Sequence, residues 1–179
     1  MTDSPAASGS SKMVTGLFKD SESVERAYEV VSGRDYGTAD INVVMSDETR
    51  KRYFADDRQI NTELGRKIEE GGELGGPTGG RIGIIIAALS AVGVAALPGL
   101  GFILAGPLAV ALAAAGTAGL AAGLVGALSD WGIPEERAKQ YETGIHDGGI
   151  LMGVKPHSDE DGQYFLQQWK AIGAQHLHA

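Results

Sequence analysis

The sequence predicts an α+β fold cut in two by an apolar insertion, and three observations carry that expectation. Short apolar runs rich in β-branched residues alternate with amphipathic helical stretches at both ends of the chain, over 13–57 and 133–172. Between those ends, after Arg81 and before Asp130, not one side chain is charged. Glycine accounts for 27 of 179 residues, about twice its ordinary ~7% share, and it crowds into that run and the segment before it.

The elements follow in order. Residues 1–12 (MTDSPAASGSSK) are small and polar and are expected to be a disordered leader. "MVTGLF" (13–18) reads as a strand. Asp20 or Ser21 then caps a helix over 21–32 whose Val24, Ala27, Tyr28 and Val31 share one face, and Gly33 stops it. "INVVM" (41–45) is too short and too β-branched for a helix and is expected as the second strand; Ser46 and Asp47 cap a helix in "DETRKRYFADD". Residues 58–81 turn polar and then glycine-rich, as a linker does. Beyond the uncharged run, Ile133 and Pro134 open a helix with Glu135 and Glu136 at its positive end, running to about His146. "ILMGV" (150–154) is a third strand. Ser158 caps a last helix whose first turn holds Asp159, Glu160 and Asp161 and whose apolar side is Tyr164, Phe165, Leu166 and Trp169; residues 173–179 remain as a tail.

With the run set aside, the order is β-α-β and then α-β-α. That is the skeleton of a small ferredoxin-like (split β-α-β) domain lacking one strand, made discontinuously from 13–57 and 133–172. The two halves must return to one sheet, so the ends of the run are expected close together. The domain is expected to fold with 76–130 replaced by a short linker.

The run itself, 82–129, is expected as a long apolar glycine/alanine-rich helical hairpin turning at "PGLG" (98–101), each arm long enough to span a bilayer core roughly 30 Å thick. Ala87, Ala91 and Ala95 recur every fourth residue, as do Ala111, Ala115, Gly119, Gly123 and Ala127. This glycine-zipper spacing lines one helix face with small residues, where a second backbone approaches closely, so these eight are the candidate helix-packing and oligomerisation residues. A helix apolar all round must be enclosed by lipid or protein, and so small a domain is not expected to enclose two. The hairpin is therefore expected in a membrane or, alternatively, bundled in a soluble cytoplasmic homo-oligomer. Arg58, Arg66, Lys67 and Arg81 before it, with Arg137 and Lys139 after it, place both termini in the cytoplasm in the membrane case.

Composition narrows the chemistry. A net charge of −8 and a pI near 4.9 disfavour a nucleic-acid partner, which requires clustered Lys and Arg. With no cysteine there is no disulfide, thiolate ligand or cysteine nucleophile. His176 and His178 have a metal ligand's chemistry but no second cluster, so they read as an incidental tail. His146 beside Asp147 reads as a helix end. "GGELGGPTGG" (71–80) lacks the GK[ST] ending of a phosphate loop and reads as a hinge. Asp159, Glu160 and Asp161 read as a helix start rather than a calcium site. No catalytic, cofactor-binding or metal-ligating residues are expected, and no enzyme.

Four stretches together carry a resemblance: "VTGLFKDSESVERAYEVVSGRDYGTADINVVMSDETRKRYF", "LPGLGFILAGPLAVALAAAG", "GIPEERAKQYETGIHDGGILMGV" and "SDEDGQYFLQQW". From residue 13 to 169 the chain resembles the bacterial general stress or heat-induced stress proteins of the YflT type. The linker is more polar than that family leads one to expect, and "GAQHLHA" finds no counterpart. The resemblance implies a stress-associated, membrane-associated protein without established catalytic activity, so it carries no catalytic residues over. The expected function is thus a non-enzymatic structural protein that self-assembles through its hairpin. The alternative is a scaffold or adaptor whose α+β domain docks a partner protein while the bundled hairpins tether it to the membrane or enclose an apolar conduit.

Overall fold

The computed structural model describes residues 12–53, 93–97, 101–129 and 131–179. In chain order they form β1 (Val14–Phe18), α1 (Ser21–Ser32), β2 (Ile41–Ser46), α2 (Asp47–Tyr53), β3 (Val94–Leu97), β4 (Phe102–Ala105), α3 (Pro107–Ala114), α4 (Gly116–Ser129), α5 (Glu135–His146), β5 (Ile150–Val154), α6 (Asp159–Ile172) and β6 (Gln175–His178). The capping signals act as the sequence suggests. Asp20 accepts a hydrogen bond from the Ser23 amide at 2.8 Å, Ser46 Oγ from that of Thr49 at 3.0 Å, and Ser158 Oγ from that of Asp161 at 3.2 Å. Each satisfies a donor that the first helical turn leaves without a partner.

The strands join one six-stranded sheet in the order β3-β4-β2-β5-β1-β6, and every neighbouring pair is antiparallel. β5 lies between β1 and β2, so Val154 is opposite both Val14 and Ile41. The two ends of the chain therefore meet strand by strand in the sheet's centre. The fold is mixed, with α and β elements and an antiparallel sheet, as expected in outline.

Two cores flank the sheet. On one face Val14, Phe18, Ile41, Val43, Met45, Ile150, Met152 and Val154 meet Val24, Ala27 and Val31 of α1 and Phe165 and Trp169 of α6. The Trp169 indole packs edge-on to Phe18, centroids 5.5 Å apart, and donates to the Ala27 carbonyl at 3.3 Å. On the other face Leu17, Val44 and Leu151 meet residues of α3, α4 and α5, among them Leu108, Leu112, Leu124, Leu128, Tyr141 and Ile145. Side chains alternate across a strand, so strands buried at every position, as β1 and β5 are, need a cover on each side.

That second cover corrects the reading of the uncharged run. Residues 94–97 and 102–105, expected inside helical arms, are strands that pair with each other, Leu97 opposite Phe102. β4 continues onto the edge of β2, Met45 opposite Ile103. The open edge of β2 offers backbone partners that a helix would leave unused. Past β4 the chain turns helical at Pro107, where the ring pre-sets the first turn. Among the described residues no helix is long and apolar enough to cross a membrane. The described part of the run is covered on its inner side, because the sheet has a second apolar face to pack against it. Residues 82–92 and 98–100 of the expected hairpin, most of its "PGLG" turn among them, lie outside the described residues, as do the 1–11 stretch of the leader and all of the 58–81 linker. At the other end, residues expected as tail form β6, which pairs with the outer edge of β1.

Candidate functional site

The small-residue row does not run along one helix. Ala95 sits in β3, half-buried against the second core. Ala111 lies on α3 and Ala115 just beyond it, both exposed; Gly119 lies in α4; Ala127 is buried in the second core. Gly123 breaks α4 with φ 65° and ψ −166°, a backbone conformation open essentially to glycine alone. Ala87 and Ala91 lie outside the described residues. A four-residue repeat makes one face only while the helix is continuous, and here the chain redirects at Gly106, Gly116 and Gly123. What remains exposed is the outer side of α3. Val110 there is 47% exposed, the large hydrophobic residue most open to solvent among those described, with exposed Ala111, Ala113 and Ala114 beside it.

A polar cluster ties the α1–β2 loop to the β5–α6 loop. Tyr36 donates to Asp161 at 2.8 Å and accepts from the His157 amide at 2.6 Å. Arg34 pairs with Asp161 and lies over the Tyr164 ring. The His157 ring stacks on Tyr36 and reaches Asp40 at 3.0 Å. The Tyr36 hydroxyl and the Arg34 guanidinium hold the Asp161 carboxyl below its ordinary range. Burial pushes Tyr36 up. Every group here answers another across the split in the chain, so the cluster joins the halves. Of the acidic triplet, Asp161 makes the hydrogen bonds in this cluster.

On the other side of the sheet, α5 is pinned to β1 and β6. The Tyr141 hydroxyl is buried, 2.9 Å from Thr15 Oγ1, and donates to the His176 carbonyl. β6 carries a bulge there: from Leu17↔Gln175 to Thr15↔His178, β1 advances two residues and β6 three. His176 takes φ 51°, a left-handed conformation that costs a non-glycine residue about 1 kcal/mol. Beside the bulge opens a groove of about 720 Å³ between α5, β6 and the end of β1. Lys19, Lys139, Gln140, Thr143, Gln175 and His176 line it. His178 lies further along β6, and burial lowers its pKa. His146 rests on Phe102, ring centroids 4.6 Å apart. Among the described residues no three or more His, Asp or Glu side chains gather as a metal site would require. The groove was beyond sequence reasoning because β6 was expected as tail; the apolar–polar "AQHLH" is too short to show a bulge.

Burial raises the Tyr141 pKa to about 12 from an ordinary value of 10. The folded protein therefore holds this proton more tightly than the unfolded chain does. The resulting stability is complete below pH 10 and is lost as pH rises through 12, a loss of roughly 2–3 kcal/mol. Tyr141→Phe is expected to cost about 1–2 kcal/mol at pH 7, where Thr15 and the His176 carbonyl lose a partner. It should also flatten the alkaline fall. Urea midpoints of both proteins at pH 7 and 11 check this; equal alkaline losses would assign the fall to other groups.

Compared with protein-family models, with curated proteins and with solved structures, the chain matches none of them.

Proposed function

We propose that this chain is a non-enzymatic, stress-associated structural protein that self-assembles through its uncharged run. The observation that carries the reading is α3. Its inner side, Leu108, Ala109 and Leu112, is buried in the second core, and its outer side, Val110, Ala111, Ala113 and Ala114, is exposed without a charged or polar group. A helix apolar on every side calls for a cover on every side, and a second copy brings the same flat alanine surface, on which two backbones approach closely. The stress association rests on the family resemblance. The strand order β6-β1-β5-β2, with α1 and α6 packed on one face, supports a ferredoxin-like split domain as the frame that presents this surface. The same run is proposed to hold the assembly at a membrane.

Native mass determination in detergent-free buffer, with flotation on lipid vesicles alongside, tests the reading. The chain is expected at a multiple of 18.6 kDa. Ala111→Lys with Ala114→Lys places two charges on exposed positions, and the second complements the carbonyl end of the helix. The double variant should keep its unfolding midpoint while its mass falls toward the monomer. A monodisperse wild-type species near 18.6 kDa that does not float would overturn the proposal.

A further inference from the structure

The groove between α5 and β6 has the size, charge and construction of a small-molecule site. Its volume of about 720 Å³ falls among ordinary ligand sites, which run from ~300 to ~1,000 Å³. Lys19 and Lys139 bring two ammonium groups to it and Asp147 one carboxylate. The lining is therefore net positive in a protein of net charge −8. Lys139 pairs with Glu135 at 2.7 Å on an exposed turn of α5, with both side chains about two-thirds solvent-accessible; such a pair is weak and readily exchanged. Gln140, Thr143, Gln175 and His176 add neutral polar groups. The leucine of β1 and the phenylalanine that ends it, Leu17 and Phe18, complete the lining.

The bulge is the second observation. His176 is held at φ 51° while its carbonyl accepts from the buried Tyr141. Bulges re-aim side chains, and a residue kept in a sparsely populated conformation by its surroundings is often part of a site. Here the strained residue is one that lines the groove. We infer that this groove binds a small organic anion, a carboxylate or phosphate monoester on an uncharged body. Lys19 and Lys139 receive its charge, and His176 contacts it from the bulge. This inference is independent of self-assembly through α3.

Calorimetric titration of the full chain with phenyl phosphate, benzoate and uncharged benzyl alcohol tests it. One or both anions should bind and the alcohol should not; which anion binds identifies the head group. Lys19→Gln with Lys139→Gln should weaken binding about tenfold, as expected for lost charge-assisted hydrogen bonds. Lys170→Gln, on α6, should change nothing. His176→Gly relieves the left-handed backbone, so it should hold or raise the unfolding midpoint while weakening binding; a purely structural histidine would leave affinity unmoved. Absent anion binding, equal binding of the alcohol, or wild-type affinity in the double lysine variant would each overturn the assignment.

Discussion

Gly106→Ala is expected to lower stability by about 4 kcal/mol. Gly106 has φ 114° and ψ −167° where β4 turns into α3, a conformation that costs a residue with a side chain about 1–3 kcal/mol. The new methyl would also lie 2.5 Å from the Ile41 carbonyl oxygen and 2.9 Å from Asn42 Oδ1. Neither gives way cheaply. Ile41 belongs to a central strand, and Asn42 Oδ1 accepts from the Leu108 amide at 2.7 Å, so a buried side chain of β2 caps α3. Overpacking such a contact costs about 1–3 kcal/mol more. Asn42→Ala removes only the cap and should cost about 1–2 kcal/mol. The double variant should lose less than the sum, because both changes break the same junction. Urea unfolding of the three variants measures it. A loss below ~1 kcal/mol for Gly106→Ala would mean that the junction relaxes freely.

Replacing residues 54–129 with a short glycine–serine linker is expected to leave no soluble, cooperatively folding domain. For a linker in place of 76–130 the sequence led to the opposite expectation, since the split domain looked complete without its insertion. The removed segment, however, supplies much of the second core. Without Phe102, Leu104, Leu108, Leu112, Leu124 and Leu128, the sheet residues Leu17, Val44 and Leu151 lose packing partners. Fully re-exposing each such side chain costs about 1.5–3 kcal/mol, and three together approach the ~5–15 kcal/mol total stability of a domain. The backbone of β2 from Val43 to Ser46 would also lose β4 and stand as a bare apolar edge, a template for association. Circular dichroism during heating, with sedimentation, decides it. A monomer with a sharp transition would show that α5 alone covers the second face.

Apart from β6, the helices and strands outside the run were legible because each carries its own local signal. Val24, Ala27 and Val31 repeat at helical spacing and are buried; Asp20 and Ser158 cap as their chemistry dictates. The run was misread because absence of charge says only that a segment is covered, not by what. The needed signal lay elsewhere, in "MVTGLF" and "ILMGV". Strands apolar at successive positions require two covers, and α1 and α6 make only one. The described part of the run, together with α5, makes the other. The groove was illegible for a different reason: Lys19, Tyr141 and His176 are brought together by pairing across the whole chain, and no local pattern records that.

The placement of β5 between β1 and β2 also sets a schedule. Val14 finds its neighbour only when Val154 has been made. At ~5–20 residues per second of synthesis, β1 waits roughly 7–28 s for its partner. Throughout that interval the first two strands have no shared neighbour to hold them side by side. Contacts so distant along the chain are entropically expensive to close and slow to form. The insertion is already synthesised by then, and β4 can pair with β2 before β5 arrives. The newborn chain can thus hold an early half-sheet of β2, β3 and β4, to which β5, then β1 and finally β6 are added.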